Sequence, residues 1–236
     1  MPEHTVAILG FHKIGPPPAG GWDSWFYVSA DKFAEFLLDL HEESWEVIDL
    51  NRFLRGLDKP ETLPARSTLL TFDDGYCSMR DVTLPLLRRF DAPAVLFVPT
   101  DYVGGRNTFD AGVEPDEAMC DWKDLRELAR AGVSIQSHAA SHRRFSELSV
   151  QEREQEIVRS KATLEEHMNT PCDVIAFPYG DPGPSEEPCA LASAGYTAAF
   201  LYGGSPVRLP VVDRYQVQRV AMGPNTDLHV ELGKLS

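Results

Sequence analysis

Short apolar runs alternate with stretches of helical periodicity along almost the whole chain, and this alternation restricts the fold more than any single motif. Residues 6–11, 45–50, 68–72, 94–98, 133–137, 173–177, 196–201 and 215–220 read as strands. Between the first two, Phe33, Phe36, Leu37 and Leu40 fall at i, i+3, i+4 and i+7 and predict an amphipathic helix capped by Ser29. Further helices are expected at 51–57, at 82–90 with Pro85 in the first turn, at 122–130 before Gly132, and at 188–194. Another opens at Ser149, whose spacing to Glu152 is that of a capping box. Strands alternating with helices predict parallel βαβ units. Segments leaving the strands are long (12–28, 100–121, 138–148, 179–187, 202–213), whereas those entering them are short, such as Glu43-Ser44 and Ala131-Gly132. The asymmetry fits a barrel or open sheet that works at the carboxyl ends of its strands. A length of 236 residues, 43% of them hydrophobic, suits one α/β domain spanning residues 1–236.

The strand at 68–72 stops on Asp73-Asp74-Gly75. Two adjacent carboxylates at a buried strand end are costly unless a cation neutralises them, and a metal ion would do so. His138 and His142 are four residues apart, so one helical turn would put both imidazoles on the same side. Two histidines and one carboxylate leave coordination positions open for water and substrate. Such a metal is a Lewis acid, and the second carboxylate is then available as a general base. Each motif alone has a plain structural reading: a polar turn for Asp-Asp-Gly, surface imidazoles for the histidines. The strand pattern, however, places His12, Asp73, Asp74, His138, His142, Pro178 and Tyr179 on one face.

Composition narrows the partners. A net charge of -14 and a pI of about 4.9 exclude an electrostatic footprint for nucleic acid. No basic helix addresses anionic lipid, and no apolar run has the length of a membrane span. The first residues carry no positive region ahead of an apolar stretch, so a cytoplasmic location is expected. Cys77, Cys120, Cys172 and Cys189 are scattered without a CxxC pair, which predicts neither a disulfide framework nor a thiolate zinc site.

Three motifs together carry a resemblance. Thr71-Phe72-Asp73-Asp74-Gly75, Ser137-His138-Ala139-Ala140-Ser141-His142 and Phe177-Pro178-Tyr179-Gly180 resemble, in order and spacing, the first three motifs of the polysaccharide deacetylases. This is the NodB-homology or carbohydrate esterase family 4 domain, and the resemblance spans roughly residues 5–222. It implies a distorted (β/α)7 barrel and metal-dependent removal of N-acetyl groups, commonly from N-acetylglucosamine units, so the expected partner is an acetylated carbohydrate. By resemblance, Asp74, His138 and His142 bind the metal and Asp73 is the base. The Tyr179 N–H helps hold the oxyanion, with Gly75 and Tyr76 as further substrate or oxyanion contacts. The donor set makes zinc the default, with cobalt, nickel or iron also compatible. Gly10-Phe11-His12 is similar to the first-strand Tyr-His of members acting on biofilm poly-N-acetylglucosamine.

Two departures set further expectations. Many members carry an arginine two residues before the motif-three proline, where it steadies the catalytic aspartate; Ala176 stands there in this chain. Arg219 on the last strand is expected to take over, with Arg143 as second choice. The late Leu-x-x-His motif that supplies the general acid is not evident, since His229 follows the last strand, so His12 is expected to protonate the leaving amine. Trp22, Trp25, Phe26, Tyr102, Phe109, Trp122 and Tyr202 fall on the expected rim, where aromatic faces could stack on sugar rings. Two other functions fit the same residues: an amidohydrolase of this fold acting on a small cyclic imide or ureide, and a binding module that kept its metal but lost turnover.

Overall fold

The computed structural model describes residues 4–20, 24–184 and 187–234. The first apolar run becomes β1 (His4–Phe11), buried from Val6 onward. In the loop behind it, β2 (Lys13–Ile14) and β3 (Tyr27–Val28) pair in parallel. The chain continues through α1 (Ala30–Glu42), β4 (Glu46–Val47), α2 (Leu50–Asp58), β5 (Arg66–Phe72), α3 (Leu84–Arg89) and β6 (Ala94–Val98). It goes on through α4 (Trp122–Arg130), β7 (Val133–Ser137), α5 (Val150–Met168), β8 (Val174–Ala176), α6 (Glu187–Ser193) and β9 (Ala198–Phe200). The last elements are β10 (Val207–Leu209), β11 (Val220–Ala221) and α7 (Leu228–Gly233). None of the described helices is long and apolar enough to cross a membrane.

β1, β5, β6, β7, β8 and β9 lie side by side and parallel. β11 runs parallel to the upper part of β1, with Leu9 opposite Val220, and just before it Val217 bridges to Phe200 of β9. The sheet thus curls until its last segment links β9 back to β1, giving the distorted (β/α)7 barrel. Two details differ from the sequence reading. The run at 215–220 contributes one bridge and the start of a two-residue strand rather than a full strand. The 202–213 segment, read as loop, contains β10, which pairs antiparallel with the beginning of β1, His4 opposite Leu209.

Alternation along the strands builds two cores. Val6, Ile8, Leu69, Val95, Phe97, Val174 and Phe200 form one cluster, joined by Leu50, Phe53 and Leu57 of α2. The intervening Ala7, Leu9, Phe11, Leu70, Phe72 and Leu96 join a second with Phe33, Phe36, Leu37 and Leu40 of α1. The periodic stripe of α1 is therefore the face it buries, and Ser29 Oγ accepts the Lys32 N–H as its cap. Because the strands are parallel, every strand end bearing a motif opens on the same side.

Candidate active site

At the end of β5 the backbone turns sharply. Asp73 N–H still donates to the Phe11 carbonyl at 2.9 Å, but Asp74 (φ 73) and Gly75 (φ 86) adopt left-handed conformations. The two carboxylates consequently point to different partners. Asp74 faces the histidines and Asp73 faces an arginine.

The 138–142 segment is a loop, not the helical turn expected from the four-residue spacing. Left-handed Ala139 (φ 60) and His142 (φ 57) fold the two imidazoles toward each other. His138 Nε2 lies 3.4 Å and His142 Nε2 3.2 Å from Asp74 Oδ1. All three side chains are nearly inaccessible, at 2, 6 and 4% exposure. His138 Nδ1 is 2.7 Å from the Ala176 carbonyl. A carbonyl only accepts, so Nδ1 carries a proton, and Nε2 is the ring nitrogen turned to Asp74. Asp74 Oδ1 is buried without a hydrogen-bond partner among the described residues. Burial pushes its carboxyl pKa up, but the two histidines outweigh this and hold it well below the usual range. Ligands at roughly 2.0–2.1 Å around a tetrahedral centre lie about 3.3 Å from one another, and both histidine–aspartate separations have that length, with all three ligand atoms within 4.8 Å of one another. The triad therefore fits a divalent cation.

Asp73 is clamped by the fully buried Arg219. Nη1 donates to Oδ1 at 2.6 Å and Nη2 to Oδ2 at 2.8 Å, the bidentate geometry that fixes a carboxylate in one plane. Nη1 also reaches Thr71 Oγ1, and Nε donates to the Leu201 carbonyl at 2.7 Å. Burial raises the Asp73 pKa, yet the guanidinium overcomes it and holds the carboxyl below its ordinary value. The contact expected between Arg219 and Asp73 is present. Arg143, the second choice, instead pairs with Glu152 at 3.0 Å on the exposed side. Ala176, which departs from the family pattern, supplies its backbone carbonyl to His138.

His12 Nε2 stands 4.0 Å from Asp73 Oδ2. Its ring lies against Phe26 and Tyr202, centroids 4.6 and 4.9 Å away. Burial lowers its pKa, only partly offset by Asp74 and Asp73, so the ring is neutral at pH 7. His229 is exposed on α7 and paired with Glu43, away from these groups. Tyr179 (φ 59) follows β8, its ring 4.8 Å from His142 and beneath the Arg144 guanidinium at 4.1 Å. The next residue must be glycine: Gly180 has φ 66, and a Cβ there would lie 2.7 Å from the Tyr202 backbone nitrogen.

A cavity of about 290 Å³ opens over the triad, Asp73 and His12, with Tyr76, Tyr179 and Tyr202 in its walls. Trp25 and Phe26 also line it. Gly75 makes the turn and is not among the lining residues. Other rim expectations change. Trp122 stacks on His167 at 4.1 Å, outside the cavity, because α4 packs against α5. Tyr102 packs on Phe109, whose ring supports His142 at 4.1 Å. Trp22 lies outside the described residues. Cys77 and Cys120 do converge, with Asp124, to within 4.8 Å, but Asp124 already accepts from Arg80 and from the Asp121 N–H.

The sequence reading missed Asp110 and Arg144, both of which line the cavity. Asp110 sits in the 100–121 segment, which looked like featureless polar loop. Its placement is built by distant contacts. Asn107 Nδ2 donates to the Pro115 carbonyl at 2.9 Å while its Oδ1 accepts the Glu117 N–H at 2.7 Å. Lys13, almost fully buried on β2, reaches Glu114 at 2.9 Å and Glu117 at 3.1 Å, and its ammonium lies over the rings of Tyr27 and Tyr76. The one signal was Lys13 itself, a lysine directly after His12 at the end of the first strand. Lys13→Met should leave two carboxylates without their cation and cost about 3–5 kcal/mol in a denaturant melt. A loss below about 1 kcal/mol would show that the network does not pin this loop.

A curled α/β barrel carrying two histidines and two aspartates at its strand ends defines a narrow class. Residues 61–199 match the polysaccharide deacetylase family, and the chain belongs to it. Among curated relatives, YxkH of Bacillus subtilis (strain 168) is 22% identical over 175 residues, 74% of this chain and 57% of that protein. The poly-beta-1,6-N-acetyl-D-glucosamine N-deacetylase of Escherichia coli (strain K12) is 24% identical over 142 residues, 58% of this chain and 21% of its own length. The chain thus spans less than two thirds of either relative. Among solved structures, the Streptococcus pyogenes deacetylase PplD in complex with acetate shares the fold at a TM-score of 0.85 and 21% identity, over 99% of both chains. IcaB from Ammonifex degensii does so at 0.80 and 23% identity, over 94% of this chain and 93% of that one.

Proposed function

We propose that the protein hydrolyses the N-acetyl group of an acetamido sugar of the N-acetylglucosamine type, in a divalent-metal-dependent reaction. The observation that carries this reading is the juxtaposition of a buried Asp74–His138–His142 triad, its Oδ1 unpartnered, with an Asp73 carboxylate held by Arg219. A divalent cation held by the triad, zinc by default for these donors, would act as a Lewis acid toward the acyl oxygen and make water more acidic.

The chain's own residues supply the rest. Asp73, kept ionised by Arg219, takes a proton from the attacking water as its oxygen bonds to the acetyl carbon. The Tyr179 N–H donates to the oxyanion that develops. The proton that Asp73 has taken then passes to the sugar nitrogen, directly or relayed through His12 Nε2 4.0 Å away, as the C–N bond breaks, releasing acetate and an amine. Trp25, Phe26 and Tyr202 offer apolar faces to a sugar ring. At about 290 Å³ the cavity is at the small end of ligand pockets, consistent with one sugar unit entering it. The substrate for which the E. coli relative is named supports the same chemistry.

Asp110 is the polar counterpart of that aromatic wall. Its carboxylate has one hydrogen-bond partner among the described residues, the Tyr76 hydroxyl at 3.4 Å, and so can accept from a sugar hydroxyl. Asp110→Ala should raise KM for an acetamido sugar roughly tenfold or more, with a smaller change in kcat, since a hydrogen bond to a charged group is worth about 1.5–3 kcal/mol. An unchanged KM would remove Asp110 from the substrate contacts.

A substrate panel tests the whole reading. Acetate should be released from N-acetylglucosamine, chitooligosaccharides or poly-N-acetylglucosamine, and cyclic imides and ureides should be left intact. Turnover of the cyclic amides alone would reassign the enzyme, and bound metal without turnover of anything would make it a binding module.

A further inference from the structure

Glu156, on α5, is a buried carboxylate to which the catalytic scheme assigns no part. Its Oε2 accepts the backbone N–H groups of Ala140 and Ser141, both at 2.8 Å, and its Oε1 accepts the Ser141 hydroxyl at 2.7 Å. These donors all lie between His138 and His142. The same stretch is tied on its other side, where Thr100 N–H donates to the Ala139 carbonyl and Asp101 N–H to the Ala140 carbonyl. One turn further along α5, Ser160 bonds Ser137, the residue before His138. The loop passes through two left-handed residues that are not glycine, Ala139 and His142, a conformation that persists only where surrounding contacts impose it. Two consecutive N–H groups converging on one point form an anion-binding concavity, and here the anion is a side chain of the protein itself.

We infer that Glu156 is a positioning residue for the metal site: its carboxylate templates the 138–142 loop and so sets the separation and aim of the two imidazole Nε2 atoms at Asp74. The inference rests on the metal-dependent reading above. Groups behind metal ligands that fix their orientation typically change metal affinity by about 10–100-fold when removed.

The test is zinc affinity of the metal-free protein, measured by competition with a chromophoric chelator. Glu156→Ala should bind zinc roughly 10–100-fold more weakly. Glu156→Gln keeps an acceptor oxygen for both N–H groups, and its amide can donate to Ser141 Oγ; it should recover most of the affinity. Ser141→Ala removes a single bond and should lose about three- to tenfold. Wild-type affinity in Glu156→Ala would overturn the inference, as would a glutamine variant as weak as the alanine variant. Should Glu156→Ala fail to fold, wild-type affinity in Ser141→Ala would overturn it. A wild-type protein that binds no zinc, cobalt, nickel or iron would instead refute the metal reading on which the inference stands.

Discussion

Asp73→Asn is expected to lower turnover by a factor of about 100–10,000, the usual worth of a positioned general base, while the protein keeps its metal. Asparagine has nearly the same shape and retains one oxygen for Arg219, but it cannot take a proton from water. The proposed metal ligand on this turn, left-handed Asp74, points away from its neighbour and toward His138 and His142. Metal content therefore separates loss of the base from loss of the site. Acetate release and elemental analysis of the same preparation check both halves. Near-wild-type turnover in a metal-replete variant would mean that some other group accepts the proton. Loss of metal with loss of turnover would mean that Asp73 belongs to the ligand set.

The second large effect is expected at Arg219. Its guanidinium is fully buried and makes four hydrogen bonds, two of them to Asp73. Arg219→Met removes the partner and leaves the carboxylate in a dry site, which typically costs about 3–5 kcal/mol. The sign of the pH dependence follows from the pKa of Asp73. In the native protein, burial raises it but Arg219 more than compensates, and the folded value lies below the unfolded one. The stability from this ionisation is therefore present above the unfolded pKa and lost as pH falls through the folded value. In the variant the guanidinium is gone and burial is opposed only by His138 and His12, so the folded pKa of Asp73 rises and the stability contributed by its ionisation shrinks. The stability gap between native protein and variant should widen from about pH 4 upward. Denaturant unfolding at pH 4 and pH 7 measures it. A gap below about 1 kcal/mol that does not change with pH would show that the pair carries little of the fold's stability. Turnover should also fall, because an Asp73 that holds its proton cannot act as a base.

Much of the barrel was legible in the sequence because its signals are local. Alternation along residues 6–11 and 68–72 and the i, i+3, i+4, i+7 stripe of α1 follow directly from the geometry of strands and helices. Strand-end placement alone gathers Asp73, Asp74, His138, His142 and His12 onto one face. The route to the histidine pair was nonetheless wrong in detail. A four-residue spacing suggested a helical turn, whereas left-handed residues inside a loop bring the rings together. Arg219 became visible only through an absence, since Ala176 left the base without its customary cation.

What stayed hidden is fixed by long-range contacts. Lys13 and Glu114 are 101 residues apart, and their pairing places the loop that carries Asp110. Glu156 lies on a helix whose sequence is charged along most of its length, and nothing local separates this carboxylate from its solvated neighbours. β10 is three residues long and acquires its identity only by pairing with β1. Trp122 is expected on the rim from the sequence, and the packing of α4 on α5 turns it toward His167 instead.

Metal-dependent deacetylation stands or falls on one measurement: acetate released from chitooligosaccharides and poly-N-acetylglucosamine by protein stripped with a chelator, then reloaded with zinc or cobalt. The predicted result is release that disappears on stripping and returns with the metal, in step with metal bound at one ion per chain. Undiminished release from protein shown to be metal-free would contradict the role of Asp74, His138 and His142 as metal ligands. No release from a fully loaded protein on any acetamido sugar would contradict the proposed substrate.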